Sequence, residues 1–246
     1  MLIELIQNSY IFYTIVFLIT VVSAALGVST SMLLPLAAIY FGSKESVGII
    51  TIFFLVQNIS LMTMFWKNIN FKIAKTVILF SIPGGILGAL VLSHIPEELF
   101  GKVIAVAIIL FIASDVNKHF SKKKEKSNQS VPLFGFIYGF LSGILGSGNL
   151  VKGPLFVSLG LLKEAYIGTY AFTSFFINIP KIGVYTYTGI INGDTFIKAI
   201  PFILISIVGI LLGKIFLKQI SSKVFYIVTI VFFLISAIAL FFNTSI

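Results

Sequence analysis

The stretch GILGSGNLVKGP, residues 143–154, combines backbone-loosening residues with groups that could hold an anion. Ser147 supplies a hydroxyl, Asn149 an amide and Lys152 a positive charge, all inside an otherwise apolar segment. Glycine and proline loosen or break helices, and a lysine deep in a bilayer is costly. The pattern predicts a helix break whose exposed N–H groups and polar side chains receive a small anion.

A similar stretch occurs in the first half of the chain. LGVSTSMLLP (26–35) aligns with LGSGNLVKGP (145–154) at one constant offset, which puts a glycine on a glycine and a proline on a proline. Half-helices that start at two such breaks would point partial positive charges at one occupant. The candidate substrate-binding residues at the breaks are Gly27, Ser29, Thr30, Gly146, Ser147, Gly148, Asn149 and Lys152.

Four further polar residues lie within apolar segments and complete the candidate site: Asn58, Thr169, Asn178 and Lys181. Asn58 and Asn178 are related by the repeat with a one-residue shift. A buried lysine without a partner either loses its proton or recruits an anion, although it can also extend to the membrane surface. The amides and hydroxyls have a second possible use, as hydrogen bonds between helices.

Composition identifies an integral membrane protein. The 246 residues are 58% hydrophobic and 10% charged, and the mean hydropathy is +1.11. The net charge of +9 comes from lysines concentrated between apolar segments, so it predicts membrane topology and no nucleic-acid partner. The chain has no cysteine, which excludes disulfides and thiolate metal sites, and neither a metal nor a cofactor is predicted. The predicted location is the cell membrane, with multiple spans in the lipid bilayer.

The predicted fold is an all-α polytopic membrane protein made of two four-element repeats. A first repeat at 1–116 and a second at 131–246 flank a lysine-rich cytoplasmic linker at 117–130. The eight apolar segments are about 9–41, 46–66, 73–93, 98–117, 131–161, 165–189, 196–217 and 221–243.

The first segment of each repeat is too long for one straight span, so it must break or turn back. Re-entrant hairpins there would make the repeats inverted, with both termini outside. Single crossings would make them parallel, with both termini inside. The lysine distribution favours the inverted arrangement.

Two further patterns concern packing. The Gly-x-x-x-Gly pairs at 84–88 and 209–213 predict close helix contacts, with homo-oligomerisation as the alternative. Tyr185 and Tyr187 are predicted to belong to an aromatic belt at the membrane interface.

The sequence resembles the TauE/SafE sulfite exporter family of eight-segment permeases. The resemblance rests on 143–161, KEAYIGTYAFTSFFINIP (163–180) and GIINGD (189–194), with LGVSTSMLLPLAAIYFG (26–42) through KNINF (67–71) as a degenerate first repeat. It implies transport of sulfite, a sulfonate or another small organosulfur anion. Asn149 and Lys152 depart from the family's glycine-rich run, whereas the threonine after the next loop is kept as Thr169.

Together these features predict a secondary transporter for a small anion bound between the two breaks, and no enzyme. An anion channel is the alternative, followed by a scaffold or an intramembrane enzyme. An enzyme would need a base for Ser147, and both histidines lie at segment ends or in the linker, which leaves only Lys152.

Overall fold

The computed structural model describes residues 8–26, 33–106, 109, 131–147, 152, 155–156, 159–161 and 163–216. Across these residues the regular structure is helical, which confirms the all-α prediction. The helices are α1 Ser9–Leu26, α2 Leu33–Phe41, α3 Ser43–Met64, a short 3-10 helix Trp66–Asn68, α4 Phe71–His94, α5 Val131–Leu145, α6 Lys163–Tyr187 and α7 Gly193–Phe216. Residues 97–106 are helical as well.

Within the described part of the chain, three helices are by length and composition able to cross a membrane: Ser43–Met64, Phe71–His94 and Gly193–Leu212. Ser9–Val21 and Val131–Leu145 are shorter apolar helices. Helices suit such a sequence because they satisfy their own backbone hydrogen bonds in lipid. The finding agrees with a multi-pass membrane protein.

Side chains cap the starts of several helices. At α3, the carboxylate of Glu97 accepts hydrogen bonds from the backbone N–H groups of Ser43 and Lys44. A negative charge at a helix N-terminus is favourable because the free N–H groups there carry partial positive charge. At α4, Asn70 Oδ1 accepts a hydrogen bond from Ile73 N at 3.2 Å, in the usual manner of an N-cap. These contacts fix where the apolar helices begin.

The described residues fall into two compact units. One lies within Met1–Val47, Ile95–Lys123 and Ile200–Ile246, and the other within Gly48–His94 and Lys124–Ala199. Each unit therefore takes segments from both sides of the predicted linker. The two units are not the two predicted sequence repeats, and the duplication of the chain stays a prediction.

The first unit joins α1 to the later part of α7. The ring of Phe12 stacks on Tyr40 with centroids 4.1 Å apart and meets the ring of Phe202 edge-on. Further along, a Cβ added at Gly209 would lie 2.7 Å from Cγ2 of Thr20. The glycine thus permits close contact between α1 and α7, as predicted for the second Gly-x-x-x-Gly pair.

The second unit is built on close packing of α4 against α5. Gly84 and Gly88 of α4 face the backbone of Phe136 and Phe140 in α5. From the other side, a Cβ at Gly139 would overlap the carbonyl oxygen of Ser81. Because glycine has no Cβ, the two backbones approach until side chains of one helix reach the groove of the other. This confirms the prediction that the pair at 84–88 serves helix packing.

Several predictions fall on residues outside the described part of the chain. They concern the first break at 27–32, the linker at 117–130 and the last apolar segment at 221–243. The re-entrant hairpins, the orientation of the repeats and a homo-oligomer also stay predictions.

Substitution of Gly139 by alanine should destabilise the protein. The new methyl group would collide with the backbone of Ser81, and overpacking of this kind costs about 1–3 kcal/mol. The measurement is the melting temperature in detergent. Gly183→Ala is the control, because a Cβ at Gly183 in α6 meets nothing within 4 Å. Equal melting temperatures for the two variants would contradict the packing described here.

Candidate functional site

The helix that leads into the second break ends where the glycines begin. Helix α5 stops at Leu145, and Gly146 takes a φ of 70°, a left-handed conformation that glycine adopts at little cost. Ser147 follows outside the helix. Gly148 and Asn149 lie outside the described residues, as do Gly27, Ser29 and Thr30 of the first break.

Lys152 lies in the interior of the second unit. The residue is 0% exposed, so its ammonium group does not reach the surface. Nζ donates hydrogen bonds to Tyr138 Oη at 3.1 Å, to the backbone oxygen of Tyr170 at 2.7 Å and to Ser174 Oγ. An ammonium group has three protons, so these three acceptors match its full donor capacity.

Aromatic rings surround the same ammonium group. Nζ of Lys152 lies 3.8 Å from the ring centroid of Tyr170, 4.8 Å from that of Tyr138 and 5.5 Å from that of Phe156. The electron-rich face of a ring attracts a cation and replaces part of its lost hydration. The rings stabilise the positive charge without neutralising it.

Lys181 binds the C-terminal end of α5. Its Nζ donates to the backbone oxygens of Ser142 at 3.1 Å and Gly146 at 3.0 Å, and to Ser142 Oγ at 2.9 Å. The last carbonyls of a helix have no partner within the helix and carry partial negative charge. Lys181, which is also 0% exposed, therefore both satisfies these carbonyls and places a cation beside the break.

Tyr185 takes part in the same cap, and its prediction as a belt residue is wrong. The residue is completely buried, and its hydroxyl donates to the backbone oxygen of Gly143. Tyr185 follows Lys181 by one helical turn, so both side chains project from one face of α6. Tyr187, two residues on, is 89% exposed.

The two lysines are the buried charged side chains of the described residues, and no carboxylate there is buried with them. All the hydrogen-bond acceptors described for Nζ of the two lysines are neutral, and positive charges on both would repel each other. Buried ions are costly unless an opposite charge compensates them. The second unit is therefore electrostatically suited to an anion.

Asn178 is a buried amide on the same face of α6. It follows Ser174 by four residues and precedes Lys181 by three, which are the spacings of neighbours along a helix face. The residue is 3% exposed, and its side chain has no hydrogen-bond partner among the described residues. Asn58 of α3, its counterpart in the repeat, is 4% exposed and equally without a described partner.

Thr169, in contrast, has a structural contact. Its Oγ1 accepts a hydrogen bond of 2.9 Å from the backbone N–H of Asn70, immediately before α4. The residue is completely buried. Its hydroxyl thereby holds the start of α4 to α6, which is the use of such residues between helices that the sequence also allowed.

Apart from Gly146, the partners of the two lysines are not among the candidate site residues predicted from the sequence. Tyr138 and Ser142 are one turn apart on α5, and Tyr170 and Ser174 are one turn apart on α6. Polar residues at this spacing in apolar helices were the available signal. No single hydroxyl stands out in the sequence. The packing of α5 against α6 brings these hydroxyls within hydrogen-bond distance of the two lysines.

Comparison with known proteins gives one family. The family model described as Sulfite exporter TauE/SafE matches residues 12–240, which is nearly the whole chain. No curated protein and no solved structure matches the chain significantly.

Replacement of Thr169 by valine should lower the melting temperature. Valine keeps the shape but removes the acceptor of the part-buried hydrogen bond from Asn70 N–H, which costs about 0.5–1.5 kcal/mol. Thr169→Ser, which retains the hydroxyl, should recover most of the loss. A valine variant as stable as the wild type would show that this hydrogen bond does not hold α4.

Proposed function

Because the chain belongs to the TauE/SafE sulfite exporter family, a family of membrane transporters, we propose that it is a secondary transporter of the cell membrane. Its substrate in this proposal is a small anion: sulfite, a sulfonate or another organosulfur anion. The family supports the anionic class, and the particular anion is our proposal.

The observation that carries this proposal is the pair of buried lysines. Lys152 and Lys181 are both completely buried, and no carboxylate is buried among the described residues. A site with that charge balance favours an anion over a neutral solute or a cation. In a carrier, this electrostatic preference would select the substrate.

We propose that the anion binds beside Asn178. This residue lies between Ser174 and Lys181 on α6, and its amide can donate two hydrogen bonds that no described residue accepts. The proposal also includes four residues of the neighbouring break: Gly146, Ser147, Gly148 and Asn149. For the first half of the chain, the corresponding proposed binding residues are Gly27, Ser29, Thr30 and Asn58.

Binding would require Lys152 to exchange a partner. Its three donors already have acceptors within the protein, two of which are the hydroxyls of Tyr138 and Ser174. A hydroxyl can rotate away and become a donor itself, so either could release the ammonium group to an anion oxygen. Rocking of the two halves, as in other repeat-built carriers, would then expose the site alternately to the two sides.

Glutamine in place of Lys152 should lower sulfite transport at least ten-fold in kcat/KM. A charged hydrogen bond contributes about 1.5–3 kcal/mol, and glutamine retains the polarity without the charge. The measurement is sulfite flux into proteoliposomes, with sulfate, acetate and an alkylsulfonate as competitors.

Lys72→Gln provides the matched control for that experiment, because Lys72 is exposed on α4. Flux that is unchanged in Lys152→Gln would exclude this lysine from the anion site. Absence of saturable sulfite flux in the wild type would refute sulfite as the substrate, and a non-saturable conductance would indicate a channel.

Replacement of Asn178 by leucine should weaken binding of the transported anion without lowering the stability of the protein. We expect KM for the carried anion to rise at least ten-fold, since a hydrogen bond to a charged group contributes about 1.5–3 kcal/mol. The melting temperature should stay close to that of the wild type, because the substitution removes no hydrogen bond to a described residue. Asn68→Leu, at an exposed position, is the control. A lower melting temperature with unchanged KM would assign Asn178 to helix packing instead.

A further inference from the structure

The two buried lysines are held by different kinds of acceptor. Two of the three partners of Lys181 are backbone carbonyls, of Ser142 and Gly146, which can only accept hydrogen bonds. They lie at the negative end of α5, where a cation is favoured. Lys181 is thus placed to keep its positive charge.

Lys152 has partners that fit two protonation states. As an ammonium group it donates to the carbonyl of Tyr170 and to the hydroxyls of Tyr138 and Ser174. As a neutral amine it would keep two donors and gain one lone pair. It could then donate to the carbonyl and to one hydroxyl, while the other hydroxyl turns and donates to the lone pair. In both states, Tyr138, Ser174 and the carbonyl of Tyr170 each keep a hydrogen bond to Nζ.

The two hydroxyls can rearrange together. Tyr138 Oη and Ser174 Oγ lie 3.5 Å apart, and either atom can donate to the other. When Lys152 Nζ gains or loses a proton, the hydrogen bonds can therefore rearrange by rotation of the two hydroxyl groups, without movement of a helix.

Electrostatics favour one charge over two when no anion compensates them. Tyr138 and Ser142, which bind the two lysines, are four residues apart on α5, or about 6 Å of helix rise. The described titratable groups that face the pair are phenols: Tyr138 on α5, and Tyr170 and Tyr185 on α6, with Tyr166 stacked on Tyr170. Helix α4 contributes Gly85 beside the stem of Lys181. Arrival of an anion would supply the negative charge that a second ammonium group needs.

We propose that Lys152 takes up one proton with each monovalent anion, so that transport is coupled to protons. This rests on the proposed function above. The lone pair of neutral Lys152 Nζ binds a proton from the side to which the site is open, while Lys181 stays charged throughout. After reorientation the anion and the proton leave together, Nζ returns to the amine, and no bond of the anion changes. One proton with one monovalent anion moves no net charge.

The experiment uses methanesulfonate, which carries one negative charge at every pH employed and so cannot itself bring a proton. Purified full-length protein is placed in proteoliposomes. Uptake is driven either by an acidic exterior or by a potassium diffusion potential. We expect the pH gradient to concentrate methanesulfonate several-fold, and the potential to leave the uptake rate unchanged.

Lys152→Arg tests the proton site directly, because arginine keeps the charge but does not release its proton. Exchange of labelled for unlabelled methanesulfonate should persist. Accumulation driven by pH should be lost, and net uptake should become sensitive to the potential. Lys75→Arg, exposed on α4, should behave like the wild type.

Two results would overturn the proposal: wild-type uptake driven by the potential but not by pH, or pH-driven accumulation that survives in Lys152→Arg. If the arginine variant does not fold, the wild-type responses to the two gradients decide. Should the protein carry sulfite but not methanesulfonate, the same gradients are applied to sulfite at acidic pH, where it is the monoanion. If instead the proposed transport function is wrong, neither anion will show saturable flux under any gradient. That result differs from both results that would overturn proton coupling.

Discussion

Two lysines buried together, with no buried carboxylate among the described residues, are the constraint on which the rest of the second unit depends. Lys152 and Lys181 are tolerated because neutral oxygens and aromatic rings replace part of their hydration. That compensation is incomplete, since none of these partners carries a negative charge. The positive potential that remains around the two lysines would favour an anion over a cation.

The glycines of α4 and α5 serve this arrangement indirectly. Gly88 and Gly139 let the two helices approach until their backbones nearly touch. Gly85 does the same for α6, where an added Cβ would come within 3.0 Å of Ile177. Tight packing of three helices brings Tyr138 and Ser142 of α5 opposite the polar face of α6. The cost of loosening the helices with glycine is offset by the polar contacts that close approach permits.

Lys181 connects the helix end to the site. The same ammonium group that satisfies the last carbonyls of α5 lies beside the turn at Gly146. Any occupant that draws on this charge also perturbs the end of α5. The break and the lysine are therefore one structural feature, although they are 35 residues apart in sequence.

Much of this protein follows from its sequence. The apolar segments determine helices in a membrane, because lipid offers the backbone no partners. Two lysines inside apolar segments predict an anionic substrate, and the glycine at 146 determines where α5 ends, because charge and backbone freedom are properties of residue type. Tertiary structure decided what each polar group does. Thr169 binds the backbone before α4, Tyr185 caps α5, and Lys152 is enclosed by Tyr138, Tyr170 and Ser174. Sequence spacing identifies neighbours on one helix, whereas these contacts join different helices, and only their packing brings the partners within hydrogen-bond distance.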